Sequence, residues 1–296
     1  ASLQNLTNSG TVSAATAVDY DSVGNAPVGA GGVVGEAAVA NLSDLTNTGA
    51  VTLGAKANAD CFAGGVVGRL GGDNKDIEKS EATLDGGTCS SDKMPTSSGT
   101  AETPYLGKLV GEVRGGQTAT VKNVSEDDAI GAVGMYGSTE RTVALENVNL
   151  TKLDVVADHT QEFTYTIQLK NSAIGTMKVD GEVHTGMTLE IAGGTVDTVL
   201  YDGVSNSNGE DDPATLSFAA SEGAQIGTVD ASSVSNTGIR EFRVAADERS
   251  AIGTVRTIVK TTVGFEHADG GVNSDGRDFP NTGTISAVVT SSTDYT

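Results

Sequence analysis

"IGTVDASS" (226–233) and "IGTVRTIV" (252–259) open on the same four residues, and looser copies, "IGTMKVDG" (174–181), "GGTVDTVL" (193–200) and "TGTISAVV" (282–289), run through the second half of a 296-residue chain. A glycine followed by β-formers means little once, but its recurrence along one chain is an architectural signal. Each copy reads as a short strand introduced by a turn, with Gly taking a corner at positive φ and the next residues alternating faces with period 2. Counted glycine to glycine, the copies lie roughly 19 to 33 residues apart, the length of a solenoid rung. In the first half the recurring unit is "GGVVGE" (31–36), "GGVVGR" (64–69), "GKLVGEV" (107–113) and "IGAVGMYG" (130–137), with "NLTNSGTVSA" (5–14) and "DLTNTGAVTLGA" (44–55) before or between. "NSGTVSA" (8–14) returns near the other end as "NTGTISA" (281–287).

One such strand cannot bury its inward face alone. Stacked at about 4.8 Å, each copy covers the next, pairs its backbone groups above and below, and sets Val on Val and Thr on Thr. The core this makes is thin, which suits a chain with 39 Gly, 6 Phe, 6 Tyr and no Trp. No stretch sustains apolar residues at helical spacing, so helix is expected to be sparse or absent. The expected fold is all-β, a parallel β-helix (β-solenoid) with irregular rungs and loop excursions, made of GGVVG-type repeats over 1–145 and Gly-Thr-Val-type repeats over 146–296, the second continuing the first. A β-sandwich or propeller competes, but uneven spacing and absent tryptophan favour the solenoid.

The N-terminal copies, an N-x-G-x-V strand followed after a variable excursion by GGVVG (Asn8–Val12 with Gly31–Gly35, Asn47–Val51 with Gly64–Gly68), resemble the GLUG-type repeats of bacterial surface and secreted proteins. The resemblance covers roughly the first 135 residues. It implies an extracellular β-solenoid from a cell-surface or adhesin-like polypeptide and brings no catalytic residues with it.

Lys plus Arg number 18 against 39 Asp plus Glu, a formal net charge of −21. Such a surface repels phosphate backbones and anionic membranes, and suits divalent cations, cationic partners or a saline medium. No apolar run approaches the ~20 residues of a membrane span, and the opening "ASLQNLTNSG" has no basic n-region or apolar h-region, so the chain reads as a processed, secreted product. In that setting Cys61 and Cys89 are expected to form one disulfide, two buried thiols being the alternative. Asn5, Asn41, Asn123 and Asn149 head N-x-[ST] sequons.

The candidate metal site is a pair of similar loops, "NSNGEDDP" (206–213) and "NSDGRDFP" (273–280). Oxygen side chains two apart before a Gly are how a calcium loop gathers ligands, which nominates Asn206, Asn208, Asp211, Asn273, Asp275 and Asp278. The first EF-type position falls on Val204 or Gly271, and an Asn-Gly or Asp-Gly turn closed by Pro is the simpler reading. The carboxylate runs "SEDD" (125–128) and "GEDD" (209–212) have no cationic cluster or aromatic platform beside them, and His159, His184 and His267 share no motif, so an enzyme is not expected. "GAGGVVGE" (29–36) breaks G-x-G-x-x-G at Val34 and lacks the lysine of a phosphate loop. The sequence therefore points to an extracellular structural protein, a solenoid subunit of a surface fibre or adhesin stalk that assembles head to tail with itself. The alternative is a recognition module for a glycan or cell-surface partner, with calcium assistance.

Overall fold

A computed structural model describes residues 1–14, 29–54, 61–72, 81–97, 104–114, 118–136, 141–160, 164–206, 213–234, 238–265 and 278–290. The chain forms two compact units, Ala1–Val133 and Gly134–Thr296. Both are built from parallel β-strands stacked rung on rung, and the only helical segment among the described residues is the 3-10 turn Ser91–Lys93.

In the first unit a coil contains five short strands. The first coil runs Ser2–Gln4, Thr7–Asn8, Val12–Ala14, Gly29–Gly31 and Val34–Ala37; the second Ala40–Ser43, Thr46–Asn47, Val51–Leu53, Phe62–Gly64 and Val67–Leu70; the third Glu81–Asp85, Thr88–Cys89, Thr96–Ser97, Tyr105–Gly107 and Val110–Arg114. Each pairs with its counterpart in the adjacent coil, so Leu3, Leu42, Leu84 and Val121 form one inward column and Val34, Val67 and Val110 another. Leu42, Leu84, Val121, Val67 and Val110 are essentially inaccessible, and each such side chain contributes about 1.5–3 kcal/mol.

Two sequence features explain the coil's path. The corner after Gln4, Ser43, Asp85 and Lys122 is turned by Asn5 (φ 54°), Asp44 (φ 53°), Gly86 (φ 64°) and Asn123 (φ 58°), residue types that reach the left-handed region at least cost. The Asn of N-x-G-x-V makes a ladder. Asn8 donates Nδ2 to Asn47 Oδ1 at 2.9 Å, and each Asn closes a ring with the glycine two residues on, donating to its carbonyl at 2.8 Å and accepting from its N–H at 3.0 and 3.1 Å. Cys89 occupies this column in the third coil and ends the ladder.

The next coil is much shorter. Thr118–Val124 stacks on Glu81–Asp85, and after residues 125–128 Leu109 and Val110 already donate to the Ala129 carbonyl at 2.9 Å. Ile130–Gly131 thus follows Val110–Gly111, so in "IGAVGMYG" the residues matching "VVG" are Ala129, Ile130 and Gly131 rather than the later Ala-Val-Gly.

The second unit uses two long strands per rung. One column contains the start of Arg141–Thr160, then Thr164–Lys170, Gly186–Ala192, Ala214–Ser221, Ile239–Ala246 and Lys260–Val263. The other contains the later part of Arg141–Thr160, then Ala173–Val183, Thr195–Asp202, Gln225–Ser233, Ala251–Thr257 and Thr284–Thr290. Leu150, Ile174, Val196, Ile226, Ile252 and Ile285 form a single line in the second column.

This register corrects the reading of the Gly-Thr-Val motif. The partner of "IGTM" (174–177) is "VDTV" (196–199), not "GGTV" (193–196), and the partner of "IGTV" (252–255) is "ISAV" (285–288). Gly175, Gly227 and Gly253 do not take the corner at positive φ; that role falls to Gly193 (φ 75°) and Gly194 (φ 62°) among others. Ladder pairing skips one residue here in every rung, from Ile226–Ile252 directly to Thr228–Thr254. Ile226 and Val229 are buried while Gly227 is exposed and Thr228 half-buried. Two consecutive outward residues break the period of 2, so the motif bends the strand while the stack continues.

Tyr201 is fully buried in this core, edge-on to Phe242 with ring centroids 5.3 Å apart. Its hydroxyl has no hydrogen-bond partner among the described residues, and burial raises its pKa beyond the ordinary phenol range. Tyr201→Phe is expected to stabilise the second unit by about 1 kcal/mol, read as a higher urea midpoint. A lower midpoint would show that the hydroxyl is bonded, for example to a buried water.

Candidate functional site

The two similar acidic loops occupy different corners of the coil. Asn206 ends the short strand Ser205–Asn206, pairs with Val183, and donates Nδ2 at 3.1 Å to the carbonyl of Gly238, the residue before Ile239–Ala246; it lies on the passage from the second column into Ala214–Ser221 of the first. Asp278 lies at the opposite passage, from Lys260–Val263 into Thr284–Thr290, beside the antiparallel bridge between Phe265 and Phe279. Asn208, Asp211, Asn273 and Asp275 lie outside the described residues. The loops resemble each other in sequence without being equivalent positions, and among the described residues no group of three His, Cys, Asp or Glu side chains could hold a metal ion.

Asp278 does line a cavity of about 220 Å³. Ala219 and Ala245, whose small side chains leave the space, form its floor; Phe279 and Pro280 wall it. The Glu190 carboxylate, 4% exposed, borders it and accepts from the hydroxyls of Thr166 (2.9 Å) and Ser221 (2.7 Å). Asp247 is occupied by the turn it supports. Burial pushes its pKa up, but hydrogen bonds from the Ser250 hydroxyl and the Glu222 and Arg249 N–H groups outweigh that and hold it below the usual carboxylate range. A groove of about 340 Å³ in the first unit is lined by Asn5, Thr7, Asp44, Thr46 and Thr88.

Among the described residues a buried charge cluster stands on the GGVVG repeats, outside the candidates named from the sequence. Glu36, Arg69 and Glu112 each follow a V-G of the GGVVG repeat and stack in register. Arg69 Nε donates to Glu112 Oε2 at 2.7 Å, Arg114 contacts Glu112 Oε1 at 2.9 Å, and Glu36 lies 3.9 Å from Arg69. The Arg69 guanidinium also stacks on the Phe62 ring at 4.1 Å. Glu112 is 1% exposed and both arginines 6%. The signal was in the sequence: the residue after the motif alternates Glu, Arg, Glu. The cluster ties neighbouring rungs together; Arg69, Glu112 and Arg114 are buried, and only Glu36 faces solvent.

The remaining candidates are structural. Cys61 and Cys89 do not form the expected bridge; both are buried thiols. Cys61 packs with Ala30, Val51, Leu53 and Ala63, whereas Cys89 takes the asparagine-ladder position and donates to the Ser90 and Lys93 carbonyls. Burial pushes the Cys89 thiol pKa up, more than the nearby Lys108 ammonium lowers it. "SEDD" (125–128) is the exposed turn that shortens the coil, and Lys108 reaches across to pair with Glu126. "GEDD" (209–212), His267 and the His159 side chain lie outside the described residues, and His184 is half-buried just after Val183. Comparison with protein-family models, curated proteins and solved structures returns no match to this chain.

Proposed function

We propose that this chain is an extracellular structural protein, a β-solenoid subunit of a surface fibre or adhesin stalk that lengthens by pairing head to tail with copies of itself. The observation that carries the reading is the stacking of every rung through parallel strand edges. Thr284–Thr290 pairs with Ala251–Thr257 on one edge and with no other strand among the described residues; it bears no charge, and its inward Ile285 and Val288 are only half-buried where their partners Ile252 and Val255 are 0% exposed. On the first coil Leu3 and Leu6 are 36% and 40% exposed, where Leu42 and Leu45 are 1% and 0%. One more rung on either edge buries these side chains and pairs the open backbone, and a heterologous contact that does not close gives a filament.

The test is a dilution series followed by light scattering and electron microscopy. Concentration-dependent rods that shorten when the inward Leu3 of the first coil is replaced by Lys are expected. A monodisperse monomer across the whole range overturns the assembly.

A further inference from the structure

Among the described residues, asparagines differ in what their side-chain amides do, and two groups stand apart. In one, the amide belongs to the architecture. Asn8 and Asn47 form the ladder, Asn171 donates to Asn147 Oδ1 at 3.4 Å, Asn206 donates to the Gly238 carbonyl, and Asn281 Oδ1 accepts from the Ala246 N–H at 3.0 Å. None of these six heads an N-x-[ST] sequence; Asn8 and Asn47, for instance, read N-S-G and N-T-G. In the other group, Asn5, Asn41 and Asn149 are exposed and their side-chain amides make no hydrogen bond among the described residues. All three head sequons, N-L-T, N-L-S and N-L-T. The fourth sequon asparagine, Asn123, is exposed but donates Nδ2 to Asp85 Oδ1 at 2.6 Å.

We propose that Asn5, Asn41 and Asn149 are attachment sites for N-linked oligosaccharide and that Asn123 is not. The inference rests on the extracellular reading, since the donor is a polyprenyl-phosphate-linked oligosaccharide met during export. In the transfer, Nδ2 attacks the anomeric carbon of the first sugar, the sugar–phosphate bond breaks, the lipid phosphate leaves with the bonding pair, and the amide gives up one proton to solvent. The surroundings suit a bulky substituent at each of the three. Asn41 projects from a strand with Ser2 and Thr83 as its in-register neighbours, and Asn149 has Ala173 beside it. Asn5 stands at the left-handed corner, where the side chain leaves the coil. A sugar on any of them displaces no hydrogen bond of the fold, whereas one on Asn123 costs the bond to Asp85, and one on Asn47, which is inaccessible, breaks the ladder.

The experiment is peptide mass mapping of the protein isolated from its native source, with the cell-surface, secreted and cytoplasmic fractions analysed separately. The expected result is protein outside the cytoplasm with hexose-containing mass increments on the peptides of Asn5, Asn41 and Asn149 and an unmodified Asn123. Extracellular protein with all four asparagines unmodified overturns the glycosylation and leaves the structural role standing. Protein confined to the cytoplasm overturns both. Glycan on Asn123 at the occupancy of the other three overturns the selection by amide use.

Discussion

Glu112→Gln is expected to destabilise the first unit by about 3–5 kcal/mol, the range for removing one partner of a buried ionic cluster. The substitution keeps the side-chain volume and removes only the charge. Arg69 and Arg114, each 6% exposed, then remain as two cations without the carboxylate that lies 2.7 and 2.9 Å from them. Arg69 already has one guanidinium nitrogen, Nη2, buried without a hydrogen-bond partner among the described residues, so it has no slack with which to absorb the loss. Chemical denaturation followed by circular dichroism gives the measurement. Replacing Arg69, Glu112 and Arg114 together by Met, Leu and Leu is expected to restore most of the stability, because no charge is then left unpaired. A Glu112→Gln protein within 1 kcal/mol of the parent would mean that water or another group solvates the arginines.

The second large effect comes from the glycines of GGVVG. Gly31, Gly64 and Gly107 stack in register, and a Cβ on Gly64 would sit 1.7 Å from the Val67 carbonyl oxygen and 2.7 Å from the Gly111 nitrogen. Neither atom is the end of a flexible side chain; both belong to backbone committed to the ladder. Gly64→Ala is therefore expected to cost about 3 kcal/mol or more, at or beyond the usual range for overpacking. Gly35, the last glycine of the same motif one coil earlier, supplies the control. Nothing lies within 4 Å of a Cβ built there, and its φ is ordinary. Gly35→Ala is expected to be neutral or to stabilise by about 0.4–1 kcal/mol through the unfolded chain. Equal effects at the two positions would remove the steric account of the motif.

How far these features were legible in the sequence depends on the feature. Recurrence of GGVVG and Gly-Thr-Val led to a parallel solenoid, because a short strand with one apolar face has few ways to bury it other than against its own copy. Register was less legible. "GGTVDTVL" (193–200) contains two overlapping matches, and only backbone stacking places Val196 rather than Gly193 with the start of "IGTM". The bend at Ile-Gly-Thr-Val was misread as a turn followed by alternation because composition alone does not tell a glycine that bends a strand from one that ends it. The two acidic loops looked equivalent since their residues match, yet what precedes each in the coil differs. Alternation of Glu36, Arg69 and Glu112 was readable once the repeats were aligned on one another. The disulfide was inferred from compartment and proximity in sequence, while the thiols are committed to separate tasks, one in an apolar cluster and the other at the end of the asparagine ladder.

Parallel pairing of successive rungs also fixes how the second unit meets a pulling force. A load applied between Arg141 and Thr290 runs along the stacking axis and bears on the inter-rung hydrogen bonds of one pair of strands before it reaches the next, so they open in series like a zipper rather than together in shear. Each rung depends mainly on its immediate neighbours. Stretching should therefore give a succession of small, similar yields, and relaxation should let peeled rungs re-form on the remaining stack as a template.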